Sequence, residues 1–278
     1  MERLRRWFYG VFITLLITSV VSIIVVFVIS EGELNRVQSV AISSLASSPG
    51  KDGVAAGERL VRGPLGCTRC HGVDLGGTIM ADTLVGRFVA PNLTLGRGSE
   101  VRQFQQADWV RAIRHGLDVD GRGLWLMPTD RYGHLTDDDL GSVISYLTQV
   151  PPVDRDLPGS QIGFLGRMLM ALGKLELVLA NRTAHDRSRP AQIEEGGLQH
   201  GRYLAKISGC GGCHSIVPGS AVNTLARFTD VLRDAGNRAG QTADKATHGR
   251  AYARLTAGQV GALWLYWSRR GTAAGDSL

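Results

Sequence analysis

Four cysteines, confined to two five-residue clusters, constrain this 278-residue chain more than any other feature. They read Cys67-Thr68-Arg69-Cys70-His71 and Cys210-Gly211-Gly212-Cys213-His214, two copies of C-x-x-C-H, the attachment signature of c-type haem. The spacing has a chemical reason. Two thiols three positions apart on one helical turn both reach the vinyl groups of a single porphyrin and form thioethers, and the adjacent histidine then stands under the iron. A neutral imidazole suits that place because one nitrogen donates to the metal while a hydrogen bond fixes the other. A Cys/Cys/His zinc site would need a fourth ligand, and a thioredoxin-like dithiol would need a βαβ context. Two copies in one chain favour two covalently attached haems, which between them consume every cysteine.

From Trp7 to Ser30 run 24 residues without a charge, mostly Val, Ile, Leu and Phe. As a helix this run would be roughly 36 Å long, enough to cross a bilayer with some tilt. Arg3, Arg5 and Arg6 precede it and Glu31 and Glu33 follow it, so the positive-inside rule places the N-terminus in the cytoplasm and the rest outside. A cleaved signal peptide is the competing reading. Its apolar core would be shorter, and Ser44-Leu45-Ala46, which resembles a cleavage site, lies well beyond the apolar end. The sequence therefore predicts a transmembrane anchor over 1–30 and a Ser- and Ala-containing tether over 31–52.

The chain repeats itself around the two motifs. Gly57-Glu58-Arg59-Leu60 precedes the first and Gly201-Arg202-Tyr203-Leu204 the second. Leu135-Thr136 opens a helical segment ending in Ser145-Tyr146-Leu147, and Leu255-Thr256 opens one ending in Leu265-Tyr266-Trp267. Thr136 reads as an N-cap, with Asp137, Asp138 and Asp139 where the helix dipole favours anions. Thr256 and Gln259 make the corresponding capping box.

This arrangement resembles the class I cytochrome c fold. More closely, the chain is similar to membrane-bound bacterial dihaem c-type cytochromes, including cytochrome subunits of alcohol and gluconate dehydrogenases. The residues that carry the resemblance are Cys67–His71, Ala90-Pro91-Asn92-Leu93-Thr94, Asp108-Trp109-Val110-Arg111-Ala112-Ile113-Arg114-His115-Gly116, Met127-Pro128, and the helix ending in Tyr146-Leu147 before Pro151-Pro152-Val153. The resemblance is densest in the first repeat. It implies an all-α fold: the transmembrane helix, a cytochrome c domain over 53–150, a linker with an amphipathic helix over 151–196, and a second cytochrome c domain over 197–272. It also implies that Met127, 56 residues after His71, supplies a thioether as distal ligand, giving His/Met coordination and a raised potential. A gap-filling core methionine is the plainer use of that residue. His115 and His134 become a surface and a loop histidine. Pro91 offers a carbonyl to orient His71, or is a simple loop proline.

The second repeat departs from the pattern, since no methionine follows His214. Aligning Thr256 with Thr136 puts Thr247 opposite Met127, with His248 beside it. Three readings stay open: His248 as the second axial ligand of a bis-His site, an open iron, or a methionine borrowed from Met168 or Met170 of the linker. The linker shows Ile162, Leu165, Leu169, Leu172, Leu175 and Leu179 at helical spacing. Its plain role is packing against the haem domains; its sharper role is to lie on the membrane or a partner.

Charge adds little. The net +6 contains no block of five or six like charges, so nucleic acid is not an expected partner. No nucleotide loop or acid–base pair is recognisable. The sequence thus points to an electron-transfer protein, not an enzyme, at the outer face of a bacterial inner membrane. As a subunit of a hetero-oligomeric complex it would exchange electrons with a dehydrogenase, a quinol-oxidising complex, an oxidase or a soluble cytochrome. A dihaem peroxidase or ligand sensor with an open second haem is the alternative.

Overall fold

The computed structural model describes residues 1–42, 44–45, 51–210, 224–234, 252 and 254–270. Its first helix, α1 (Glu2–Leu34), contains the uncharged run, and its apolar side chains stand exposed along nearly the whole length. Such exposure is unsustainable in water and expected in lipid. Within the helix the Thr14 and Thr18 hydroxyls donate to the carbonyls one turn back, at 2.9 and 2.8 Å, so neither needs water. Among the described residues this is the one helix long and apolar enough to cross a membrane, with a mean hydropathy of 3.0 in its most apolar window.

Two helix crossings organise the rest. In the first, α2 (Lys51–Arg62) packs on α6 (Asp137–Leu147); between them in sequence lie α3 (Cys67–His71), α4 (Gln106–Val110) and α5 (Thr129–Tyr132). In the second, α8 (Leu198–Ile207) packs on α10 (Ala257–Arg270), with α9 (Leu225–Asp234) beside α10. The crossings match atom for atom at one point. A Cβ on Gly57 would run into the Ser142 carbonyl and lie 2.9 Å from the Tyr146 Cβ. A Cβ on Gly201 would meet the Ala262 carbonyl and lie 2.9 Å from the Tyr266 Cβ. Glycine is what lets each pair of backbones approach so closely. The C-terminal helices also start alike. Thr136 Oγ1 accepts from the Asp139 amide at 3.1 Å. Thr256 and Gln259 exchange both capping-box bonds, at 3.0 and 3.2 Å.

The two crossings share one continuous hydrophobic cluster, from Leu60, Trp109 and Tyr146 through Tyr203 and Leu204 to Leu263 and Trp267. Polar ties cross the seam: the buried Tyr203 hydroxyl donates to Asp139 and accepts from the Thr136 amide at 3.4 Å. Burial pushes the Asp139 carboxyl up, and the Tyr203 bond holds it down. The third aspartate of the run is thus both part of a helix start and a seam residue.

The chain is mainly helical, but the all-α expectation omitted a small antiparallel sheet. Strands β1 (Thr78–Asp82), β2 (Gly86–Ala90) and β3 (Gln161–Ile162) pair in that order. The linker also differs from its reading as one long helix. Ile162 belongs to β3, and the helix is only α7 (Phe164–Ala171), stopped by Gly173 at φ +64°. Leu177 and Val178 then fill a second apolar cluster with Leu34, Phe88, Leu117 and Met170. The apolar period was real, but a strand, a helix and an extended segment share it. The tether is partly docked as well: Val37 bridges to Arg122, and the Gln38 amide donates to the Gly121 carbonyl at 2.8 Å.

Candidate functional site

Helix α3 carries Cys67, Cys70 and His71. The imidazole is buried, and its Nδ1 lies 2.8 Å from the Pro91 carbonyl oxygen. That contact requires the proton on Nδ1 and leaves the Nε2 lone pair unused. Burial also pulls the His71 pKa below its usual value, so the ring is neutral. Both are the conditions a metal-binding imidazole needs.

The Pro91 carbonyl is held by a web of side-chain bonds. Asn92 Nδ2 donates to the Val153 carbonyl at 2.7 Å, and Asn92 Oδ1 accepts from the Thr94 amide at 2.9 Å and the Thr94 hydroxyl at 2.8 Å. The Val153 amide donates back to Thr94 Oγ1 at 2.9 Å, and Ser99 Oγ donates to the Asn92 carbonyl at 2.8 Å. Arg155 grips Asp74 through both terminal nitrogens, at 2.7 and 3.2 Å, and donates to the Gly77 carbonyl at 2.9 Å, while the Gly77 amide returns to the His71 carbonyl at 2.8 Å. The Ala90–Thr94 motif is therefore a brace for one histidine bond.

Cys67, Leu93, Phe104 and Met127 pack against the same apolar core. Burial pushes the Cys67 thiol up to about 12 and the Cys70 thiol up as well. Met127 is half-buried, and Leu126 before it sits at φ +59°, a left-handed backbone that costs a leucine about 1–2 kcal/mol. Strain of this kind persists where neighbours impose it. Here the Leu126 amide donates to the Leu177 carbonyl at 2.7 Å, and the Thr129 amide closes on the Met127 carbonyl at 2.8 Å. Three residues after Pro128 comes Arg131, and then Tyr132, whose buried hydroxyl donates to the Leu65 carbonyl at 2.6 Å beside the first motif. A fixed neutral imidazole and two thiols on one helical turn, bordered by an apolar core, suit the covalent attachment of a c-type haem.

The second motif is described only at Cys210. Cys213, His214 and His248 lie outside the described residues, as do Gly211 and Gly212. Cys210 lies three residues past the end of α8, half-buried, with Ser208 Oγ 3.3 Å and the Tyr252 hydroxyl 3.8 Å from its Sγ. Burial pushes its thiol up, and the Arg131 guanidinium acts weakly the other way. Arg131 lies against Gly209, where a Cβ would strike the guanidinium. The stretch after Met127 and the start of the second motif therefore meet at one seam, a proximity no local sequence pattern signals. Met170 is buried in the other apolar cluster, apart from the one against which Cys210 packs.

His115 is not the surface residue expected from the sequence. It is 2% exposed, at the end of a π-helical turn (Arg111–His115), and its Nδ1 lies 3.0 Å from His185 Nδ1. His185 Nε2 reaches Gln38 Oε1 at 3.1 Å, so the pair ties the first crossing, the linker and the tether together. Burial, reinforced by His185 and by Arg189, Arg114 and Arg111, pulls the His115 pKa down to about 4. Its partner lies 70 residues away, so the sequence offered no local sign of it. His134 is half-buried against Arg187, 2.8 Å away, and closer to its expected loop role.

Residues 52–147 match the family described as cytochrome C oxidase, cbb3-type, subunit III, so a cytochrome c domain is present in the chain. Among curated proteins, the fructose dehydrogenase cytochrome subunit of Gluconobacter japonicus is 29% identical over 54% of this chain and 32% of its own length. The gluconate 2-dehydrogenase cytochrome c subunit of Pantoea cypripedii is 30% identical over 64% of this chain and 41% of its own. A diheme cytochrome c-type protein of Cereibacter sphaeroides is 26% identical over 59% and 57%. The chain thus spans about a third to two-fifths of the first two relatives. The similarity to cytochrome c subunits of dehydrogenases, read first from the motifs, holds among the curated relatives, and the family match adds the cytochrome c domain.

Proposed function

We propose that this chain, with its cytochrome c domain, is a non-enzymatic electron carrier: a dihaem c-type cytochrome held by α1 at the outer face of a bacterial inner membrane. In this reading it serves as a subunit of a dehydrogenase or respiratory complex. The observation that carries the proposal is the buried His71 imidazole, fixed by the Pro91 carbonyl inside a C-x-x-C-H turn. Bound haem supplies one-electron chemistry; the protein supplies attachment, ligands, burial and geometry.

Each residue has a separable task. Cys67 and Cys70 would hold the first haem covalently, and His71 and Met127 would ligate its iron, a pair that favours a raised potential. The Pro91 carbonyl holds the imidazole in one tautomer and orientation. Cys210, Cys213 and His214 would repeat the attachment in a second cytochrome c domain, with His248 the first choice for a second iron ligand. The seam formed by Arg131, Gly209 and the Tyr203–Asp139 pair sets the start of the second motif against the first crossing, the closeness a relay would use. The relatives' names favour a dehydrogenase complex as the setting.

A potentiometric titration followed by EPR, on the full-length protein and on His248→Ala, tests this. Two low-spin haems at separated potentials, one turning high-spin in the variant, are expected. A high-spin haem already in the unaltered protein, unchanged by the substitution, would remove the bis-His assignment and favour peroxidase or ligand-sensing chemistry at that iron. Detection of a single haem by pyridine haemochrome analysis would end the dihaem reading.

A further inference from the structure

Helix α7 is amphipathic in an unusual sense. Its protein-facing side carries Gly166 and Met170, both buried, and its outward side carries Phe164, Leu165 and Met168, continued by Leu172 just past its end. At 100° per residue those four fall within one quadrant or slightly more, opposite Gly166 and Met170, with Arg167 on the flank. Phe164 is 52% and Leu172 64% exposed. A short helix with its apolar stripe turned outward is unfavourable against water and favourable against something apolar.

The position of α7 says what that is. Arg167 reaches into the final turns of α1: its guanidinium lies 4.6 Å from the Phe27 ring centroid, 2.9 Å from Ser30 Oγ and 2.6 Å from Glu31 Oε2. Phe27 and Ser30 are the last turn of the uncharged run and Glu31 is the first charge after it, so α7 sits level with that boundary. A second element joins it there. The turn between β1 and β2 abuts the start of α7, with the Gly163 amide donating to the Val85 carbonyl at 2.9 Å and Gly166 close against that same carbonyl. At the tip of this turn Leu84 is 86% exposed.

We propose that α7 and the β1–β2 turn form a second membrane contact, in which Phe164, Leu165, Met168, Leu172 and Leu84 enter the headgroup–acyl boundary of the leaflet from which α1 emerges. The occupant is lipid, because the stripe adjoins the end of the anchor and lies at the depth of its last uncharged turn. Arg167 is placed as interfacial arginines are, with its stem among apolar groups and its charge at the polar edge. Helix and turn together stop the haem-bearing part from swinging on a tether and present one face of it to the membrane. This inference rests on reading α1 as a membrane anchor.

Single cysteines introduced into the full-length, haem-loaded protein test it, since the native cysteines are taken by thioethers. Leu84→Cys, Leu172→Cys and Val73→Cys are compared in phosphatidylcholine/phosphatidylglycerol vesicles, each first shown to keep the unaltered haem spectrum. Val73 is 80% exposed and stands beside the first motif. The readout is the labelling rate with a membrane-impermeant charged maleimide. Labelling at positions 84 and 172 at least tenfold slower than at 73, independent of lipid-to-protein ratio, is expected. Equal rates at all three in protein that resists alkaline carbonate extraction overturn the inference and leave the anchor standing. Slow labelling that disappears on dilution into excess lipid assigns the face to a second copy of the chain and also overturns it. Release by carbonate removes the anchor reading and this inference with it.

Discussion

The two helix crossings are nearly superposable in principle and different in what surrounds them. Each sets a glycine against a carbonyl of the partner helix and a tyrosine Cβ, and each C-terminal helix opens on a capped threonine. Between crossing and cap, however, the first half carries two strands and a web of side-chain bonds that converge on the Pro91 carbonyl. The second half has only 41 residues between His214 and Thr256, with no methionine among them, against 64 between His71 and Thr136. The shared part is the minimum for enclosing a flat group between two helices. The unshared part includes the web that fixes the His71 imidazole, and on the dihaem proposal it is where the two sites would acquire different potentials.

The largest test of this likeness is steric. Gly57→Ala and Gly201→Ala should each destabilise the protein by about 3 kcal/mol, the upper end of overpacking costs, because the obstacle is backbone that cannot move aside. Thermal unfolding of each variant would show comparable losses; a loss in only one would mean that the crossings are not equivalent. Next comes the ligand asymmetry. Met127→Ala should lower one midpoint potential by on the order of 0.1 V, well inside the ~0.8 V that axial ligands command, and remove the thioether–iron charge-transfer band. Met170→Ala should leave both potentials unchanged while costing about 2–5 kcal/mol of stability, as a core methionine does. A potential shift in Met170→Ala would break the comparison.

A smaller effect separates the halves by pH. The His115 ring, at about 4 in the folded chain and near 6.5 when unfolded, binds its proton more readily once unfolded. Its contribution is complete above pH 6.5 and is lost as pH falls from there toward 4. The melting temperature should therefore drop across that window, and His115→Gln should flatten the slope; an unchanged slope would show that the pair does not carry it. Smallest are the caps. Thr136→Ala and Thr256→Ala should each cost about 1 kcal/mol in chemical denaturation, with Thr136 the more costly because its hydroxyl is buried.

What could be read in advance was whatever depends on neighbours a few positions apart. The C-x-x-C-H turns, the caps at Thr136 and Thr256, the uncharged run and the paired glycines are all local patterns. The linker was over-read because an apolar period from Ile162 to Leu179 does not say where a helix begins; strand pairing took Ile162, and Gly173 ended the helix. The strands were missed because each is five residues or fewer, and β3 pairs from the linker with a strand distant in sequence. His115 looked superficial because only a partner 70 residues away accounts for its burial. Leu126 gave no warning either, since nothing in a leucine announces a left-handed backbone.

The bond that steadies His71 ends, through Asn92 and Thr94, on Val153, and Arg155 locks the neighbouring turn to Asp74. Both anchors lie past the last helix of the first crossing, in what reads as the opening of a linker. A recombination event that joined this unit to a new partner at residue 150 would carry both thiols, the imidazole and the methionine, yet leave the carbonyl that fixes His71 unheld. The heritable module is therefore longer than the motif residues it carries, and its useful cut point falls after the Pro-rich segment.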